Sequence, residues 1–98
     1  MRKPASFEQL TPYQSNMVAT LGAHLQELRS KAGKTQSQIA KAVGMSRVHY
    51  GNMENGKVTI GWASFLALVV YFAEHTETGD MIRELNLYPV VFEDSSRE

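Results

Sequence analysis

The most informative absence in this sequence of 98 residues is that of cysteine. A chain without cysteine can form neither a disulfide framework nor a thiolate zinc site, and it suits a reducing compartment. The longest apolar run, at residues 65–73, is far shorter than the ~20 residues that a membrane span needs. The basic start Met1-Arg2-Lys3 is not followed by an apolar segment, which argues against a signal peptide. We therefore expect a cytoplasmic protein with no membrane partner.

Signs of catalysis and of metal binding are also missing. His24, His49 and His75 fall on different expected elements, and no pair has the helical spacing of a zinc site. Ser37 and Ser46 lack the flanking glycines of a nucleophile elbow and are better explained as helix-cap residues. We therefore expect no catalytic residue, no metal site and no cofactor. At this length a single core leaves no room for a module that binds a small-molecule ligand.

The net charge is zero, yet the charges are unevenly distributed along the chain. Residues 29–57 carry six basic side chains and one acidic one, a balance of +5, whereas residues 58–98 have a balance of −5. Such a basic stretch can be a solvated face, or it can be the electrostatic footprint of a nucleic-acid-binding surface. Its basic residues are Arg29, Lys31, Lys34, Lys41, Arg47 and Lys57.

Helix signals dominate the first third of the chain. Thr11, Pro12 and Gln14 form a capping box, and the helix that follows ends at Gly33. Apolar residues recur on one stripe of this helix, which should face the core. The stripe consists of Tyr13, Met17, Leu21, Leu25, Leu28 and Ala32.

Residues 36–57 predict two short helices joined by a tight turn. Thr35 and Ser46 are the expected N-cap residues of these helices, and Gly44 lies at the turn. Ala40 lies one helical turn before Gly44, where two steeply crossing helices need a small residue. Such a unit places its second helix in the major groove of DNA. Because it coincides with the basic stretch, nucleic-acid binding becomes the favoured interpretation of those charges.

The remainder of the chain predicts further helices. Thr59 is the expected cap of a fourth helix, whose apolar residues nearly encircle it, so it should be central or covered by a second subunit. A fifth helix is expected over residues 80–87, and residues 90–92 have strand chemistry, as a packed tail or an intersubunit strand. We expect one domain over 1–98, with a helical core at 11–75, the two-helix motif at 36–55, and a candidate dimerisation extension at 76–98.

Residues 21–72 resemble the Cro/phage-repressor family of helix-turn-helix proteins, also called the XRE family. The matching strings are LGAHLQELRSKAGKTQSQIAKAVGMS, then MENGK, then an apolar closing helix with W..FL.LV..F spacing. The resemblance implies an all-α, compact bundle of about five helices, similar to the lambda-repressor DNA-binding domain. It also implies a transcription regulator that binds operator DNA, usually as a homodimer.

The resemblance assigns roles to individual positions. Gln36 matches a glutamine that binds a DNA phosphate and steadies the reading residues. Arg29 and Glu54 match a buried ion pair that joins the first helix to the third. The positions expected to read bases are Arg47, Val48 and Asn52, with Ser46, His49 and Gly51 close by, and those expected to contact the DNA backbone are Asn55 and Lys57.

The chemistry of these side chains suggests which bases they would read. Arg47 has forked donors that suit guanine, Asn52 can pair with adenine, and Val48 offers methyl groups to thymine. Other roles stay open at this point. Arg47 can instead bind a phosphate, and Val48 can pack against the scaffold. His49 suits a phosphate or water contact better than a metal.

Two residues depart from the family pattern. Tyr50 stands where a branched aliphatic is usual, so its ring must fill a larger pocket or turn its hydroxyl outward. Gly51 lies inside the second motif helix, where it costs ~1 kcal/mol relative to alanine. It can permit a close approach to the groove, or it can leave the helix flexible until DNA binds.

An antitoxin-like or partner-binding module is the alternative to a homodimeric repressor of its own promoter. The apolar residues 88–92 lie in an acidic region and could add a strand to a protein partner. The same segment can serve a homodimer that reads an inverted repeat, which is the commoner arrangement. We therefore predict a homodimer bound to double-stranded operator DNA.

Overall fold

Each of the first three helices begins at a cap that nearby residues form. The computed structural model of the chain describes residues 10–88. Thr11 and Thr35 each accept a hydrogen bond from the backbone N–H three residues later, and both caps are complete capping boxes. Ser46 accepts the corresponding bond from the His49 N–H. The resulting helices are α1 (Pro12–Ala32), α2 (Gln36–Val43) and α3 (Arg47–Glu54), with the bounds that the caps predict.

Tertiary packing changes the bounds expected for the last two helices, α4 (Trp62–Glu74) and α5 (Gly79–Glu84). The prediction of Thr59 as the cap of α4 is wrong, because Gly61 occupies the N-cap. Ile60 is buried in the core, which holds the chain extended past Thr59 before the helix can begin. α5 ends earlier than expected because Asn86 adopts a φ of 58° and the Leu87 N–H bonds back to the Ile82 carbonyl.

Helix α4 lies at the centre of the bundle and contacts α1, α2 and α5. Its residues Phe65, Leu68, Val69 and Phe72 are fully buried, as expected of a central helix. On α1 the predicted apolar stripe is buried from Met17 to Leu28, but its first member, Tyr13, is 44% exposed. Within residues 10–88 the structure has five helices and no strand, which confirms the all-α prediction. The predicted strand at 90–92 lies outside the described residues.

Helix α5 belongs to the same core as the other four helices. Ile82 and Leu87 are fully buried in it, so the expected division at residue 75 does not follow the edge of the core. Thr78 is buried as well, and its hydroxyl donates to the Phe72 carbonyl at 2.7 Å, tying α5 to α4. Among residues 10–88, no helix combines the length and apolar character required to cross a bilayer.

Candidate nucleic-acid interface

The α2–α3 unit reverses the chain within three residues. Gly44 has a left-handed backbone, with φ of 79°, and the Met45 N–H bonds to the Ala40 carbonyl at 2.9 Å, which closes the end of α2. Ile39 and Ala40 are buried on the side of α2 that faces the bundle. The small Ala40 side chain allows α2 and α3 to contact each other closely. The backbone thus forms the helix-turn-helix that the sequence pattern predicts.

The exposed part of this unit is the start of α3. Val48 is 61% exposed, so it does not pack into the scaffold. Asn52 lies one helical turn later and is half-buried, whereas Gly51 is buried. Apart from Gly51, the predicted reading positions are therefore at least partly accessible. The exposed ones are Ser46, Arg47, Val48 and His49.

The Glu54 carboxylate lies beneath this surface and has donors on three helices. Arg29 of α1 donates to it through Nε at 2.8 Å and Nη2 at 3.1 Å, and the Glu54 side chain is only 3% exposed. Gln36 of α2 donates through Nε2 at 2.7 Å, and the Tyr50 hydroxyl of α3 donates at 3.0 Å. The pair expected between Arg29 and Glu54 is thus present, within a larger network. We call Arg29, Gln36, Tyr50 and Glu54 the carboxylate network.

Glu54 is ionised at neutral pH in spite of its burial. Burial alone raises the pKa of this carboxyl, but hydrogen bonds donated by Arg29, Gln36 and Tyr50 lower it to below its ordinary value of 4.5. The hydrogen bond to Glu54 raises the pKa of Arg29. Burial, with the adjacent negative charge, raises the pKa of Tyr50, so its hydroxyl stays protonated and able to donate.

Tyr50 has a role that neither sequence alternative includes. Its ring is completely buried, and its hydroxyl points inward to Glu54, not outward to solvent. Of the two alternatives for Tyr50, the ring therefore fills a larger pocket. A signal was available in the sequence, because Tyr50 precedes Glu54 by four residues and such residues are neighbours on one helix face.

The carboxylate network extends to the exposed surface through one amide. Gln36 donates to Glu54 from Nε2 and accepts a hydrogen bond at Oε1 from Arg47 Nη1 at 2.9 Å. Gly51 lies beneath this pair, where a Cβ atom would meet Gln36 Oε1 at 3.3 Å. Gln36 is half-buried, so it connects the buried carboxylate to the exposed guanidinium.

The loop after α3 carries the remaining predicted contacts. Asn55 is the C-cap of α3, and Gly56 follows in the left-handed conformation with φ of 78°. The Lys57 N–H then bonds back to the Asn52 carbonyl at 2.8 Å, which folds the loop against the end of the helix. Asn55 and Lys57 are both exposed, beside the end of α3.

The part of the chain that the structure describes contains no group of three His, Asp or Glu side chains able to hold a metal ion. His24 Nδ1 is hydrogen-bonded to the Thr20 carbonyl in its own helix, and His75 Nε2 lies 3.7 Å from the Glu77 carboxylate. These contacts are ordinary local ones, and we assign no cofactor role to them.

Removing Arg29 should strongly destabilise the fold. Arg29→Met leaves the buried Glu54 carboxylate without its charged partner, and breaking a buried pair in this way costs ~3–5 kcal/mol. Arg83→Met is the control, because Arg83 and its partner Asp80 are both largely exposed and such pairs contribute ~0–1 kcal/mol. Urea unfolding at pH 7 measures both. Equal losses in the two variants would contradict the anchoring role of Arg29.

The stability supplied by Glu54 should depend on pH. Its pKa is lower in the folded protein than its ordinary value of 4.5, so the ionised form is favoured by folding. This contribution is fully present above that value and is lost as the pH falls through the folded pKa. We expect the stability difference between the wild type and Glu54→Gln to be constant near neutrality and to shrink below about pH 4.5. Urea unfolding between pH 7 and pH 3 tests this, and a constant difference would refute it.

A comparison with protein families agrees with this geometry. The family model described as a helix-turn-helix domain matches residues 20–81, which include α2, α3 and α4 entirely. No curated protein is significantly similar to the chain. No solved structure is significantly similar to it either. The matched region covers more than half of the sequence, and the chain belongs to the helix-turn-helix domain family, XRE/Cro-like in type.

Proposed function

We propose that this protein is a sequence-specific transcription regulator that inserts α3 into the major groove of double-stranded DNA. The observation that carries the proposal is an exposed first turn of α3 anchored from below by a buried, charged network. The major groove admits one α-helix, and the side chains at the start of that helix reach the base edges. Membership of the helix-turn-helix domain family supports the same role.

Three side chains are the proposed base readers. Arg47 would donate two of its guanidinium N–H groups to guanine O6 and N7, and Asn52 would pair with adenine through its amide. Val48, with 61% of its surface exposed, would contact a thymine methyl group. Ser46 and His49 flank them on the same exposed turn, where they suit contacts with phosphate or water.

Contacts with the DNA backbone would come from the edges of the α2–α3 unit. Gln36 begins α2, where a helix N-terminus and a side-chain amide both favour a phosphate. Asn55 and Lys57 lie in the exposed loop at the other end of α3. The balance of +5 over residues 29–57 gives this part of a neutral chain the charge needed to displace counterions from DNA.

A homodimeric repressor acting near its own promoter is the proposed biological form. A two-fold dimer reads an inverted repeat, and each half-site then takes one α3. Occupancy of a promoter is sufficient for repression, whereas activation requires a polymerase contact that we do not identify. We propose no small-molecule effector, so the response would be to the concentration of the protein itself, in the cytoplasm. Helix-turn-helix domains of this kind are typically not enzymes, and we propose no reaction.

Selection of bound fragments from a random DNA pool tests the function. We expect enrichment of an inverted repeat whose half-sites are about one helical turn, or a multiple of it, apart. Absence of any enriched sequence would contradict specific DNA binding. Enrichment that required an unrelated co-purifying protein would instead favour the antitoxin-like alternative.

Arg47→Ala and Lys57→Ala should weaken binding in different ways. Loss of Arg47 should reduce affinity for the selected operator by ~1–3 kcal/mol and relax the preference at one base pair. Loss of Lys57 should weaken binding to all sequences similarly. It should also reduce the slope of log affinity against log salt concentration by about one phosphate contact. Fluorescence anisotropy over a salt series separates the two effects. If Arg47→Ala lost affinity equally for every sequence, Arg47 would be a phosphate contact.

The proposed dimer can be tested by shortening the chain after Tyr88. A cut after residue 77 would remove Ile82 and Leu87 from the core, so removal of residues 89–98 alone is the cleaner change. We expect the shortened protein to keep its helical content and to dimerise more weakly, as measured by light scattering over a concentration series. An unchanged dimer would place the interface elsewhere, for instance on α4.

A further inference from the structure

The orientation of the Gln36 amide follows from the chemistry of its buried neighbour. An ionised carboxylate only accepts hydrogen bonds, so the NH2 end of the amide must face Glu54. It does so at 2.7 Å. The carbonyl end, Oε1, is consequently turned toward Arg47, whose Nη1 donates to it at 2.9 Å. Reversal of the amide would place two acceptors together at Glu54 and two donors together at Arg47.

The absence of a side chain at residue 51 keeps the backbone of α3 clear of this amide. A Cβ atom at position 51 would lie 3.3 Å from Gln36 Oε1, 3.8 Å from its carboxamide carbon and 3.9 Å from Arg47 Nη1. The first distance is tighter than an ordinary van der Waals contact, so the Gln36 amide would have to move by a few tenths of an ångström. Arg47 Nη1 donates to that same oxygen, so the displacement would be passed on to the guanidinium.

The family resemblance already implies that Gln36 steadies the reading residues; we propose that Gly51 is a further positioning residue, which leaves the Gln36 amide the room to hold the Arg47 guanidinium for base reading before DNA arrives. This inference rests on the proposed function, because it concerns how the proposed reading residue obtains its geometry. Holding a flexible arginine in place beforehand removes part of the ordering cost that binding otherwise incurs. It also gives Gly51 a role that differs from both close approach to DNA and flexibility of α3.

Gly51→Ala is the direct test, with Gly22→Ala as the matched control. Both glycines lie in helices, but a Cβ at Gly22 would meet only Ile60 Cδ1 at an ordinary 3.7 Å. We expect Gly51→Ala to lower affinity for the selected operator about three- to tenfold, the factor for ordering one flexible side chain on binding. Affinity for unrelated DNA should change less than about twofold, and Gly22→Ala should leave both affinities unchanged. Circular dichroism confirms that each variant is folded.

A double-mutant cycle distinguishes this mechanism from direct contact between Gly51 and DNA. If Gly51 acts through Gln36, adding Gly51→Ala to Gln36→Ala should cause no further loss of operator affinity, because the amide it would displace is already gone. Additive losses would overturn the proposal in favour of close approach to the groove. A gain in operator affinity for Gly51→Ala would overturn it in favour of a helix that is flexible until DNA binds.

A measurement without DNA separates failure of this inference from failure of the proposed function. The Arg47 Nε–H group, observed by 15N relaxation in the free protein, should be ordered in the wild type and mobile in Gly51→Ala and Gln36→Ala. Equal mobility in all three would refute the positioning role, whatever the protein binds. Ordered Arg47 in a wild type that selects no DNA sequence would instead overturn the proposed function and this role in base reading, and leave only a structural tether.

Discussion

The arrangement of the first three helices depends on the hydrogen bonds that the buried Glu54 carboxylate accepts. It receives two hydrogen bonds from Arg29 of α1, one from Gln36 of α2 and one from Tyr50 within α3. A charge buried at this depth is tolerated only when its acceptor sites are filled. Moving α1 or α2 away from α3 would take the Arg29 or Gln36 donor away from the carboxylate. The network therefore favours the observed orientation of α1 and α2 relative to α3.

This anchoring matters because the helices of the interface are short. α2 and α3 have eight residues each, whereas isolated helices shorter than ~12–15 residues are marginal in water. Their N-caps, the closure at Gly44, the packing of α2 on α4 and the packing of α3 on α1 and α2 supply what helix propensity alone does not. A short, well-anchored α3 can present its first turn to solvent without unfolding. That exposed turn carries the side chains proposed to read DNA.

The two departures from the family pattern belong to the same arrangement. Tyr50 fills the interior with its ring and donates its hydroxyl to Glu54, where an aliphatic side chain would leave one carboxylate site without a donor. Gly51, the next residue, weakens α3 locally but leaves space for the Gln36 amide. Residues that break a local rule often mark a functional site, and here Gly51 lies beside the proposed reading residue, Arg47, while Tyr50 belongs to the carboxylate network beneath it.

Features that involve residues close together in the sequence were predictable, whereas contacts between residues far apart in the sequence were not. The caps at Thr11, Thr35 and Ser46 were predictable because a cap involves residues only three positions apart. The Arg29–Glu54 pair was anticipated only through the family resemblance. The start of α4 and the end of α5 were predicted wrongly, because burial of Ile60 and Leu87 overrides the local signals there. Within residues 10–88, the sequence by itself determined the five helices, the bounds of the first three helices and the α2–α3 unit. Only the tertiary structure decided that Gln36, 18 residues before Glu54, joins that carboxylate to Arg47, because side-chain hydrogen bonds depend on how the helices pack.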